Sequence, residues 1–266
     1  GMYGVNKILI SMYTTFNVLY LGLTCSDIEV GYYTTANKLF GILLGVISAF
    51  TSVILPRMAA LAAENNAREF NNNVSKSFSL IFTISLPICI GGVLLSPQII
   101  RILAGSGYEG AIIPMQIVMP VIVFTGAAQV CIMQVLIPLK KDKTVLYASV
   151  IGAVTAIVLN ILFVGRLGAI GSALVLLASE IISDAYAFTY AFKTKIFNIQ
   201  WNFVIKRIIS SLPYVGICYF MGNFIINSNV SVLFFALLLS GFYFLFEIKF
   251  VLRLPVLKNI MPTSKK

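Results

Sequence analysis

The sequence predicts an all-α fold: a polytopic transmembrane helical bundle of about eight spans, with both termini on the cytoplasmic side. Three observations predict it. Of 266 residues, 59% are hydrophobic and only 11% charged, with a mean hydropathy of +0.96. A soluble domain has about 45–50% apolar and about 25% charged residues, and a chain of this size leaves much of its area facing its solvent. The solvent must therefore be lipid. The apolar residues also fall in runs of about 20, the length that a bilayer core requires. Finally, the basic residues gather on one side of those runs.

The first span is placed at about 5–24 and the second at 38–60, which ends Leu55-Pro56-Arg57. Residues 61–76 (LAAENNAREFNNNVSK) are rich in Asn and charge, and are expected to form a solvated cytoplasmic connector with a short surface helix. The third span follows at 77–97. The fourth, at 112–138, holds Pro114, Pro120 and Pro138, so a kink or a late start is expected; neighbouring helices can satisfy the carbonyls that a proline frees. The fifth and sixth occupy 144–164 and 168–191, the seventh 207–226 and the eighth 231–252. With the N-terminus inside, this register puts sixteen of the 19 Lys and Arg residues on the cytoplasmic side, and only Lys38, Arg101 and Arg166 outside. That asymmetry sets the orientation and supports an even number of spans. The tail after Leu254, with Pro255, Pro262 and three lysines, is suited to anionic headgroups.

Composition also narrows the chemistry. A net charge of +10 would suggest nucleic acid in a soluble protein, but here the basic residues lie in short loops, and membrane lipids rather than nucleic acid are the expected partners. The chain has no histidine, which removes His-based triads, general bases and metal sites. Cys25, Cys89, Cys131 and Cys218 are scattered without a CxxC pair and read as free thiols. No Walker-type phosphate loop occurs, and no loop is long enough for a soluble catalytic module. No enzyme activity, metal or cofactor is expected. The first run is followed by further spans, so it is not read as a removable signal peptide. The chain opens Gly1-Met2 and enters an apolar run almost at once, so either Gly1 is an addition or this is part of a longer protein.

Glu180 and Asp184, inside the sixth span, stand out most. Their i, i+4 spacing puts both carboxylates on one helix face, with Ala169, Ala173, Ala187 and Ala191 within about 40° of Glu180. Ile170, Leu174, Leu177, Ile181 and Phe188 form the back. An ionisable group at mid-membrane costs at least about 2.5–3.5 kcal/mol, so it normally faces a cavity, a partner or an ion path. The pair is thus a candidate cation- or proton-coupling site, against the alternative of a structural hydrogen-bond anchor. Asn6, Tyr13, Asn17 and Tyr20 make a weaker polar stripe on the first span, able to line an aqueous path or to act as interhelical glue. Asn160 stands between the same two readings. Lys38 is either a snorkelling lysine at the interface or a cation for an anionic headgroup or diphosphate. The spacings Gly41–Gly45 and Gly168–Ser172 are ordinary helix-packing signals.

Several stretches together resemble the second half of polysaccharide flippases, the O-antigen and teichoic-acid type exporters of the multidrug/oligosaccharidyl-lipid/polysaccharide superfamily. They are Asp27-Ile-Glu-Val-Gly31-Tyr-Tyr-Thr-Thr-Ala36-Asn37-Lys38-Leu39, Leu86-Pro87, Gly105-Ser-Gly107-Tyr108-Glu-Gly-Ala111, and Asn160 followed by Gly168-Ala-Ile-Gly171-Ser-Ala173 and Glu180. The resemblance runs from about residue 5 to 192. It implies one six-helix lobe (1–192) of a two-lobed exporter, an appended helix pair (193–254) and a basic cytoplasmic tail (255–266). It implies flipping of a lipid-linked oligosaccharide, an undecaprenyl-diphosphate glycan, across the bacterial cytoplasmic membrane by alternating access. In the related lipid II flippases the position of Lys38 is a basic cavity residue, so the resemblance makes Lys38, with Asn37, Asn17 and Tyr13, the candidate substrate cavity. A cation in a low-dielectric cavity suits a diphosphate. No N-terminal lobe is present here, so a missing lobe, or a second copy, is the expected partner. A cation-coupled multidrug exporter is the alternative within the superfamily. A membrane-embedded glycosyltransferase or polymerase, and a non-transporting scaffold, are alternatives of other classes.

Overall fold

The computed structural model describes residues 2–193, 201–224, 238 and 241–243, and every described element is helical. Helix α1 spans Met2–Thr24. Helix α2 runs Asp27–Ala63, 37 residues, or about 56 Å at 1.5 Å per residue. It starts eleven residues before the second span expected from hydropathy. Asp27 and Glu29 in its first turn suit the positive end of the helix dipole, so the polar stretch before residue 38 continues the helix. Pro56 lies inside α2 without ending it.

The expected connector at 61–76 is almost absent. Helix α2 continues to Ala63 and α3 (Ala67–Leu94) starts four residues later. The turn is made by Asn65 at φ 54°, and Asn66 caps α3 by accepting the Glu69 N–H at 3.2 Å. Arg57 and Glu69 bridge the hairpin at 2.8 Å. A short helix α4 (Ser96–Leu103) and a 3₁₀ turn at Glu109–Ala111 lead to α5 (Ile112–Val118) and α6 (Val121–Cys131). The break between them falls at Met119–Pro120, as the prolines of the fourth span lead one to expect, since Pro120 has no N–H to give the ladder.

A π-turn at Ile132–Leu136 ends that segment, and α7 (Asp142–Leu159) continues through a second π-turn at Asn160–Val164 into α8 (Gly165–Lys193). Gly168, at φ 55° and ψ −131°, breaks α8 in its first turn and folds it back along α7. Contact is close along the hairpin: Ser183 Oγ donates to the Ala148 carbonyl at 2.9 Å, and a Cβ on Gly152 would sit 3.1 Å from that of Ser183.

Helix α9 (Trp201–Phe224) packs on α3. Arg207, assigned by the sequence reading to a cytoplasmic segment, is only 1% exposed, and its Nε donates to Ser79 Oγ at 3.0 Å. The eighth run falls largely outside the described residues, as does the tail.

Among the described residues, Asp27–Ala63, Ala67–Leu94, Glu109–Leu136 and the folded segment Asp142–Lys193 are each long and apolar enough to cross a membrane, with Ile8–Thr24 a shorter apolar helix. Large side chains such as Leu23 (76% exposed), Ile42 (69%) and Val53 (79%) point away from the bundle. In water such a surface would drive aggregation; in a bilayer it is the lipid-facing skin. Tyr33, Ile47, Met58, Phe78, Met119 and Ile122 fill the interior. The chain is a multi-pass α-helical membrane protein.

Candidate functional site

A cavity of about 290 Å³ lies within the bundle, where α1, α2, α6, α7 and α8 converge. Its polar lining comes from Tyr13 and Thr14 on α1, Asn37, Ser48 and Ser52 on α2, Thr125 and Gln129 on α6, Ser149 on α7, and Glu180, Ser183 and Asp184 on α8. Leu44, Phe40, Ile132 and Leu176 are among its apolar walls. Among the described residues no Lys or Arg lines the cavity that the two carboxylates face.

Helical periodicity explains how the two acids arrive together. Glu180 and Asp184 are one turn apart on the face of α8 whose other members are small, which lets α8 lie close to its neighbours. Tyr13 OH donates to Glu180 Oε1 at 2.7 Å across 167 residues of chain. Glu180 lines the cavity, whereas Asp184 is 7% exposed, and its Oδ2 has no hydrogen-bond partner among the described residues. Gln129 is held from α2: its Oε1 accepts from Ser48 Oγ at 3.0 Å and Thr51 Oγ1 at 3.3 Å. The result is a space lined by two acids, a phenol, two carboxamides and several hydroxyls. Such a set can coordinate a small cation or hold a proton.

The sequence-derived candidates do not share one space. Tyr13, Asn37, Glu180 and Asp184 line the cavity. Asn17, one turn from Tyr13, is 2% exposed and donates to Tyr33 OH at 3.0 Å and to the Ser172 carbonyl at 3.1 Å, tying α1 to α2 and α8. Lys38 is exposed on α2 and is not among the lining residues, because one residue's rotation turns it about 100° from Asn37. Sequence reasoning passed over Ser48, Thr125 and Gln129. Gln129 carried a signal, a lone carboxamide in an apolar run; the hydroxyls carried none, since Ser and Thr are common in packed membrane helices.

Comparison with known proteins places this geometry. The family model described as lipid II flippase MurJ matches residues 8–245. The chain belongs to the MurJ family. Among curated relatives, a protein of Escherichia coli (strain K12) named an O-antigen transporter is 28% identical over 179 residues, covering 64% of this chain and 41% of that one. Agl15 of Haloferax volcanii, named a low-salt glycan biosynthesis flippase, is 22% identical over 207 residues, covering 78% and 44%.

The fold of this MurJ-family chain matches the solved lipid II flippase MurJ in an inward closed conformation, with a TM-score of 0.77 at 18% identity, over 94% of this chain and 52% of that one. It also matches a MOP superfamily transporter from Pyrococcus furiosus, with a TM-score of 0.60 at 16% identity, covering 82% and 50%. The chain thus spans about two fifths to one half of the length of these relatives. The resemblance read from the motifs at residues 27–39, 105–111 and 168–180 is borne out at the level of family and fold.

Proposed function

We propose that this chain supplies one half of a transporter that flips a lipid-linked oligosaccharide, carried on a polyprenyl diphosphate, across a bacterial cytoplasmic membrane for cell-surface polysaccharide synthesis. The observation that carries the reading is the MurJ-family match over residues 8–245, laid on a helical bundle whose relatives are named for glycan export. In this reading residues 1–192 form one lobe, and the second lobe comes from a preceding segment or another copy. Lys38, exposed on α2, meets the diphosphate in the space between lobes. Glu180 and Asp184 serve the coupling cation or proton inside the lobe, with Tyr13 setting the Glu180 carboxylate. Substrate is moved and leaves chemically unchanged.

The test is a Lys38→Ala variant in the complete transporter. Lipid-linked glycan is expected to accumulate on the cytoplasmic leaflet, with export down at least tenfold; unchanged export would remove Lys38 from the mechanism. A second reading, a cation-coupled multidrug exporter, draws on the two acids in a cavity without a basic residue. It requires cation-dependent efflux of a dye, abolished by Glu180→Gln, with glycan export intact.

A further inference from the structure

Three of the stretches that carried the family resemblance are far apart in sequence, and they meet at one end of the bundle. Glu29 and Tyr32 stand a turn apart near the start of α2. Glu29 Oε2 accepts the Ala169 N–H at 2.6 Å. Ala169 follows the break at Gly168, so its N–H belongs to the first turn of the main body of α8, where backbone donors lack an intrahelical acceptor. A carboxylate there both satisfies a donor and complements the helix dipole. Gly168 permits the approach twice over: its positive φ suits glycine, and a Cβ would strike the Glu29 carboxylate.

Tyr32 reaches the other way. Its OH donates to the Gly107 carbonyl at 3.3 Å, and its ring meets Tyr108 edge to face at 5.9 Å. A Cβ on Gly110 would strike the Tyr32 ring, and Tyr108 lies over Gly31. The 105–111 loop is itself shaped by Gly105 and Gly107 at φ 84° and 97°, and by Glu109 Oε2 accepting the Gly107 N–H at 3.0 Å.

We infer that Glu29 is a positioning residue. With Tyr32 it clamps the 105–111 loop and the α7–α8 turn onto the first turns of α2 as one three-way clasp. It thereby fixes the register of α8, which carries Glu180 and Asp184 three and four turns further on. The link to those acids rests on the transport reading above; the clasp itself stands apart from it.

Hydrogen exchange on the whole chain in lipid nanodiscs tests the clasp. Glu29→Ala is expected to raise exchange about 5- to 10-fold at residues 165–172, the scale of losing one cap, and also at 104–111, while 205–220 stay at the wild-type rate. Glu29→Gln keeps an acceptor oxygen and is expected to remain near wild type. Should Glu29→Ala fail to fold, Tyr32→Phe removes only the bond to Gly107, and is expected to raise exchange at 104–111 and, less, at 165–172. A rise confined to one of the two segments in either variant overturns the clasp. For register, the infrared carboxyl band that Glu180→Gln removes is expected to shift in Glu29→Ala and return in Glu29→Gln; an unmoved band overturns the positioning role. If Glu180→Gln leaves glycan export unaltered, the coupling role falls while the exchange result stands.

Discussion

Tyr13 and Glu180 meet across the cavity by a single 2.7 Å hydrogen bond, and each is conspicuous in the sequence for a different reason. A carboxylate in a 29-residue apolar helix is costly wherever it points, so Glu180 was legible as a site candidate before any geometry. Tyr13 was legible only as one member of a stripe, because a tyrosine on a membrane helix is cheap in many settings. Its neighbour Asn17 shows why the stripe could not be read further: one turn away, the same face has left the cavity for packed core, and Asn17 bonds Tyr33 and Ser172 instead. Tyr13→Phe keeps the ring and removes the donor. It is expected to cost about 1–3 kcal/mol, read as a lower midpoint of thermal unfolding in detergent. Gly168→Ala forces a side chain into a positive φ and against Glu29, and should cost about 1–3 kcal/mol in the same measurement. A Gly152→Ala change is a useful contrast: no positive φ is involved, and the added Cβ meets Ser183 Cβ at 3.1 Å and the Ser179 carbonyl at 3.5 Å.

At the scale of elements, hydropathy located the helices because lipid imposes it directly: an apolar run of sufficient length crosses wherever it stands. The boundaries failed where a helix leaves the apolar slab. Residues 27–37 and 61–63 belong to α2 although their charges and amides read as loop, since nothing in hydropathy separates a solvated helix from a solvated coil. The break at Pro120 was legible from the proline, and the π-turns at Ile132–Leu136 and Asn160–Val164 were not, because no residue type demands one. Helix α9 carries the element-scale prediction. Its Arg207 is buried against Ser79 of α3, so it is a point of attachment of the seventh span to the bundle. Arg207→Ala is expected to raise proteolytic cleavage near the start of α9 while the 2–193 core keeps its resistance. Equal resistance in wild type and variant would show that apolar packing alone holds the helix.

For the whole molecule, the decisive fact is proportion: the chain matches 94% of itself but 52% of the solved flippase. All the residues that line the cavity among α1, α2, α6, α7 and α8 belong to this chain, whereas Lys38 lies on an exposed part of α2, the face that the reading proposed above gives to a second lobe. Cation binding and lipid-linked glycan binding should therefore separate. On the proposed reading, this chain in nanodiscs is expected to bind a coupling cation with the affinity of a two-lobed transporter, and to bind a lipid-linked glycan at least tenfold more weakly. Addition of the partner lobe should restore the second without altering the first. Loss of both in the isolated chain would argue that the lobe's interior is not independently formed.

Helix α2 has one further consequence, and it is mechanical. Its first turns are bonded to two other segments and its middle to Gln129 of α6, while the opposite side of much of its length is bare of neighbours. A rod of about 56 Å pivoted at one end converts a tilt of about 10° into a displacement of about 10 Å at the other. The far end is the Arg57–Glu69 hairpin. Small rotations at the pivot would thus be read out as a larger lateral shift there, with α3 carried along by the three-residue turn that joins it to α2.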